Sequence, residues 1–245
     1  MNVRLDIEYI GTNFCGWQKQ KKTPTIQDEL EKSLKKIFVE KIILLASGRT
    51  DSGVHAYNQV ANFYVEDSLK MNMVQLKNKL NFLLDKNIKI KRCTRVSDEF
   101  HSQHSAKEKT YLYRIKTFEP CSVFEENRFW FIKRELNIDA IERISKIFIG
   151  EKDFKKFCKT GYSGSTTIRK IKKISIKKKS NYIDIFISGN GFLRGMVRLI
   201  VGCLIKYEQG GIKESDIKLA INNKKELKLR LSAPAKGLYL YNVKY

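Results

Sequence analysis

Ser47-Gly48-Arg49-Thr50-Asp51-Ser52-Gly53-Val54-His55-Ala56 is fed by an apolar, β-prone run at residues 42–46 and leads into a second at 54–65. That layout predicts two strands joined by a short loop. Glycines on both sides of Asp51 let the backbone turn tightly and let a bulky ligand come close. Such a loop is also an ordinary hairpin turn, so spacing alone leaves both readings open. Working outward, Val3, Leu5 and Ile7 alternate with Arg4, Asp6 and Glu8, which reads as a half-buried strand. Pro24-Thr25 with Asp28 marks a helix start, and Ile26, Leu30, Leu34 and Ile37 fall on one helical face. Beyond the loop, residues 71–84 have helical spacing through Val74, Leu76, Leu80 and Leu83, and 88–96 alternates again. The order βαββαβ predicts a ferredoxin-like (RRM-like) unit over residues 1–104, an antiparallel sheet backed by two helices.

Residues 105–245 repeat the pattern with additions. A strand is expected at 110–117, and then a helix through Ile138, Ile141, Ile144 and Phe148 that Gly150 ends. Strands at 169–177 and 182–188 and a helix at 192–207 follow. Ser215 and Asp216 are expected to cap a short helix, and 237–245 to form the last strand. The Phe129-Trp130-Phe131 run is a further strand or an inserted hairpin. With no low-complexity linker between the halves, the expectation is an α+β chain: two ferredoxin-like units sharing a mostly antiparallel sheet, with a cleft between them.

The 245 residues suffice for real hydrophobic cores. The formal charge of +22 is unevenly spread. Residues 1–104 carry 17 Lys and Arg against 12 Asp and Glu, a net of +5; residues 105–245 carry 31 against 14, a net of +17. Residues 152–179 hold eleven basic side chains and a single acid, Asp153. A lysine-rich composition decorating a solvated face accounts for the total as well as a polyanionic partner does, but the clustering favours RNA. Five cysteines, odd in number and without a Cys-x-x-Cys pair, argue for a reducing compartment and against a disulfide framework or a zinc site. The charged opening lacks a signal-peptide core, and Arg194, Arg198 and Lys206 interrupt the longest apolar run. A cytoplasmic protein without a membrane span is expected.

Five ordered segments carry a resemblance. Gly48-Arg49-Thr50-Asp51-x-Gly53-Val54-His55-Ala56 resembles the catalytic signature of the tRNA pseudouridine synthase A (TruA) family, and Tyr9-x-Gly11-x-x-Phe14-x-Gly16-Trp17-Gln18 its opening segment. Phe100-His101 before Tyr111-x-Tyr113, Phe192-Leu193-Arg194-x-Met196-Val197-Arg198, and Pro234-Ala235-x-Gly237-Leu238-Tyr239-Leu240 complete the set in the family's order. The resemblance implies RNA bound across the cleft, a homodimer, and isomerisation of uridine to pseudouridine in the tRNA anticodon stem-loop at positions 38, 39 and 40. That reaction breaks the C1′–N1 bond, rotates the uracil and joins C1′ to C5, so it requires neither cofactor nor metal.

By resemblance Asp51 is the catalytic carboxylate, attacking as a nucleophile or taking a proton from the sugar; the sequence leaves that choice open. Arg49 is the candidate for holding the nucleotide backbone or filling the space of the extruded base. Tyr111 matches the tyrosine placed over the flipped base, although Tyr111 and Tyr113 share a strand face and equally suit a core. Arg198, on an otherwise apolar helix, needs a partner, and the family's equivalent pairs with the catalytic aspartate. Phe100, His101, Ser102, Gln103 and His104 are carried over as RNA-contacting, as are Lys159 and Arg169 flanking the 160–169 stretch. His55 reads as structural.

Departures bear on the target. Ser52 stands where the family has alanine, Ile10 where it has aspartate, Ser102-Gln103 where it has Ala-Arg, and Ser165 where arginine is common; Gly195 and Leu199 also differ. Two alternatives follow: the same chemistry at another tRNA position or on ribosomal RNA, and a non-catalytic RNA-binding protein. The intact Arg49-Thr50-Asp51 loop argues against the second.

Overall fold

The computed structural model describes residues 1–66, 71–162, 164–227 and 232–245. The chain is α+β and divides into two compact units, Met1–Lys107 with Tyr239–Tyr245, and Glu108–Leu238. The last strand therefore packs with the first unit, although sequence order sets it at the end of the second.

In the first unit, strand β1 (Asn2–Tyr9) lies between β3 (His55–Tyr64) and β4 (Ile88–Val96), antiparallel to both. Strand β2 (Leu45–Ala46) pairs with β3 at Asn62 and Ala61, which gives the order β4-β1-β3-β2 of the ferredoxin-like unit. Strand β10 (Leu238–Lys244) takes the same edge of β3 further along, in parallel, with Tyr239 opposite His55. The alternation read at Val3, Leu5 and Ile7 is the core face, and all three are fully buried. Helix α1 (Ile26–Phe38) starts where expected, with the Thr25 hydroxyl accepting from the Asp28 N–H, and lays Ile26, Leu30 and Leu34 on that face. Helix α2 (Met73–Leu83) opens on a capping box between Asn72 and Gln75. It buries Leu76 and Leu80 but leaves Val74, expected on the apolar face, exposed. Strand β2 is much shorter than the predicted 42–46. Ile42 and Leu44 are buried, but no strand ladder extends along them.

In the second unit, β5 (Glu108–Thr117), β9 (Tyr182–Gly189), β8 (Ile168–Lys178) and β7 (Gly150–Asp153) pair antiparallel in that order. The Phe129-Trp130-Phe131 run yields β6 (Trp130–Ile132), parallel to β5. Helix α3 (Ile138–Ser145) tightens into a 3₁₀ turn at Lys146–Phe148, and Gly150, at φ 102°, opens β7. Helix α4 (Met196–Glu208) begins four residues later than predicted, because Gly195 takes the left-handed conformation at its N-cap and keeps Phe192 and Leu193 outside. Helix α5 (Glu214–Ile221) has Lys213 at its N-cap without a side-chain cap bond, so the expected capping by Ser215 and Asp216 is not what starts it. Arg114 on β5 faces Asp184 on β9, 3.1 Å from Nε to carboxylate, with the guanidinium against the rings of Phe129 and Tyr182. A carboxylate as buried as Asp184 is tolerated because this cross-strand partner neutralises it.

Candidate active site

In the first unit, the opening segment builds the Asp51 loop. Tyr9 shares a buried hydrogen bond of 2.8 Å with the Thr50 hydroxyl, and the Trp17 N–H donates to the Thr50 carbonyl at 3.0 Å. The Phe14 carbonyl accepts from the Gly53 N–H and the Ser52 hydroxyl, both at 3.3 Å. Gly11 donates its N–H to His55 Nδ1 at 3.1 Å. From behind, Gln59 accepts from the Ser47 hydroxyl at 2.7 Å and donates to the Gly48 carbonyl at 2.8 Å. The glycines are there for space: a Cβ on Gly16, which sits at φ 87°, would fall 2.6 Å from the Thr50 carbonyl oxygen, and one on Gly11 2.0 Å from that of Val54. Nearly every fixed residue of the Tyr9–Trp17 segment thus touches the loop.

The outcome is a rigid loop with Thr50 buried, Asp51 half-buried and Arg49 exposed. A carboxylate held this way reaches a ligand while its backbone stays fixed, which is what a reagent group requires. Tyr9 stays a phenol, since burial pushes its hydroxyl well above the ordinary range. His55 is buried, stacked 4.7 Å from the Tyr239 ring, with Nδ1 spent on Gly11.

Also in the first unit, the 100–104 segment forms a turn. Gln103 and His104 are exposed and Phe100 and His101 half-buried, but Ser102 is fully buried and its hydroxyl donates to the Leu45 carbonyl. Ser102 therefore anchors the turn through its side chain.

In the second unit, Tyr111 lies on β5 with 8 % of its surface exposed, its ring edge-on to Phe192 at 5.0 Å. Tyr113 is more deeply buried still: fully enclosed, its hydroxyl donates to the Pro234 carbonyl at 2.8 Å. Arg198, on the first turn of α4, donates from Nε to the Ala233 carbonyl at 2.7 Å, and Ala233 returns its N–H to the Arg198 carbonyl at 3.1 Å. Arg194 donates to the Thr160 carbonyl at 3.0 Å, and the Lys159 N–H donates to the Arg194 carbonyl at 2.9 Å. Arg169 donates to the Tyr162 hydroxyl and packs over its ring.

Lys109 escaped the sequence reading. It shares a face of β5 with Tyr111, two residues on, and burial, reinforced by the charge of Arg169, brings its amine down to about 8. Period-two counting back from Tyr111 is the signal that would have found it. Among the described residues no three His, Cys, Asp or Glu side chains gather where a metal ion could sit, and no helix is long and apolar enough to cross a membrane.

A tRNA pseudouridine synthase family model matches residues 7–105 and 144–245. The chain belongs to that family. Arg49, Asp51, the 100–104 turn, Lys159, Arg169 and Arg198 lie in the matched segments, and Tyr111 between them. The chain is 39% identical to "tRNA pseudouridine synthase A" of Thermodesulfovibrio yellowstonii, over 100% of both sequences. Identity is 37% with the protein of that name from Acetivibrio thermocellus, over 100% of this chain and 99% of the relative. It is 39% with "tRNA pseudouridine synthase A 2" of Clostridium tetani, over 100% and 98%. A solved H/ACA RNP bound to a substrate RNA containing 2'-deoxyuridine is 11% identical, covers 96% of this chain and 59% of its own, and has a TM-score of 0.36, too distant to build on. As a tRNA pseudouridine synthase, the protein is an isomerase acting on uridine in tRNA.

Proposed function

We propose that this tRNA pseudouridine synthase modifies positions 38, 39 and 40 of the anticodon stem-loop, with Asp51 as its catalytic group. The observation that carries the second part is the loop itself: a single carboxylate, half-buried, on a backbone pinned by Tyr9, Gly11, Phe14, Gly16 and Trp17. The first part is supported by full-length similarity to proteins named tRNA pseudouridine synthase A.

In this reading the target uridine leaves its stack, at a cost of a few kcal/mol, and Arg49 holds the backbone or fills the gap. Asp51 then attacks the nucleotide or removes a sugar proton. The C1′–N1 bond breaks, the uracil turns, C5 bonds to C1′ as any bond to Asp51 breaks or the sugar proton returns, the C5 proton leaves, and N1 takes up a proton. Tyr111 stacks on the base, and Arg198 helps to bind the substrate. Phe100, His101, Gln103, His104, Lys159 and Arg169 contact the RNA, Ser102 through its anchoring of the turn. The working form is a homodimer, which sedimentation of the purified protein tests: a monomer would refute it.

Gln103 and Ser165, standing where arginine is usual, favour one second reading, the same chemistry at another tRNA position or on ribosomal RNA. Mapping pseudouridine in cellular tRNA and rRNA with and without the protein separates the two. Loss confined to positions 38–40 supports the first; loss elsewhere with those positions intact refutes it.

A further inference from the structure

We propose that Tyr245 is a positioning residue for RNA binding: it latches the 100–105 turn in the shape that exposes Gln103 and His104 and fixes the tautomer of His101. This deepens the reading of that turn as RNA-contacting, and rests on it.

The turn is short and polar; the Ser105 N–H closes it on the His101 carbonyl at 2.9 Å, and side chains hold it from outside. The Tyr245 hydroxyl donates to the Ser102 carbonyl at 2.7 Å, and its ring packs 4.9 Å from that of Phe100. Arg4, held by Asp6 at 2.8 Å, lies over both rings, 4.8 Å from Tyr245 and 5.8 Å from Phe100. Burial keeps the phenol protonated, and therefore a donor, across the working pH range. On the other side, two fully buried asparagines finish the clamp. Asn62 accepts from the Ser102 N–H at 2.9 Å and donates to Asn2 at 2.9 Å, while Asn2 donates to the carbonyls of Ser97 and Phe100 at 2.9 and 2.8 Å.

Within this clamp the turn closes on His101. Its Nδ1 accepts from the backbone N–H groups of Gln103 and His104 at 3.1 and 3.4 Å, so the neutral ring keeps its proton on Nε2. A neutral histidine with a defined N–H suits a phosphate or base acceptor, and a ring free to change tautomer would not discriminate. Tyr245 hydrogen-bonds the Ser102 carbonyl rather than the exposed Gln103 or His104. Its effect on RNA passes through the Ser102 carbonyl.

Steady-state kinetics on full-length Tyr245→Phe, His101→Ala and the double variant test this with a tRNA substrate, each protein first shown to be folded. Loss of one net hydrogen bond corresponds to about a fivefold effect. Tyr245→Phe is expected to raise KM about fivefold with kcat nearly unchanged, and the double variant to raise it no further than His101→Ala alone. In nitrogen-15 spectra the His101 ring should pass from a single Nε2–H form in the parent to a mixture in Tyr245→Phe. An unchanged KM and tautomer in Tyr245→Phe, while His101→Ala raises KM, would overturn the latch and leave the turn's RNA role standing. No change in KM from either His101→Ala or Gln103→Ala would overturn that role and the latch with it.

Discussion

Tyr9 and Thr50 share a hydrogen bond of 2.8 Å in the interior of the first unit, and through it the opening strand grips the residue that precedes Asp51. Tyr9→Phe removes the bond and leaves the Thr50 hydroxyl buried without that partner. We expect a stability loss of about 1–2 kcal/mol, read from the urea midpoint, and a fall in kcat larger than the loss of folded protein explains. An unchanged kcat at full folding would show that the grip does not position Asp51.

Gly16 and Gly210 offer a matched pair. Both have positive φ, 87° and 73°, but a Cβ on Gly16 would collide with the Thr50 carbonyl whereas one on Gly210 meets nothing within 4 Å. Each alanine variant costs roughly 1–2 kcal/mol of backbone strain. Only Gly16→Ala should also lower kcat, by about tenfold or more, because the loop that carries Asp51 has to move. Equal kcat values for the two variants would contradict this.

The pH dependence of stability should carry the mark of Lys109. Its amine is brought to about 8 in the folded protein, whereas an unfolded lysine titrates near ~10.4. Between those values the unfolded chain binds the extra proton, so stability contributed by this site rises with pH from about 8 to about 10.4. Lys109→Met should be more stable than the parent at pH 7, and the gap should close as pH rises, in urea melts at paired pH values. A gap independent of pH would refute the assignment.

Lys170 and Lys173 are exposed on β8, in the basic run at 152–179. Changing both to Glu should weaken every tRNA alike and flatten the plot of log affinity against log salt by about two or more. An unchanged slope would mark that surface as decorative.

What the sequence made legible was whatever depends on near neighbours. The alternation in β1, the cap at Thr25 and the helical face through Leu30 and Leu34 follow from residues a few positions apart. Pairing with distant partners was not legible, even where the strand itself was, as at 237–245. Strand β10 carries no local sign that it will lie along β3, and Ile42 and Leu44 alternate like a strand while only Leu45 and Ala46 find a ladder. The start of α4 was misplaced because an apolar run hid the left-handed turn at Gly195. At the site, the Asp51 loop could be read directly, but the reason for the opening segment could not. The contacts of Gly11, Phe14 and Gly16 with a loop some forty residues away exist only in three dimensions.

The central claim, that the Asp51 carboxylate performs the isomerisation, is tested most directly by tritium release from tRNA labelled at uridine C5. Asp51→Asn preserves size and leaves the pinned backbone in place. We predict that it binds tRNA within about twofold of the parent and releases no tritium above background, since only the reagent group has gone. Release at a rate comparable to the parent would contradict the account.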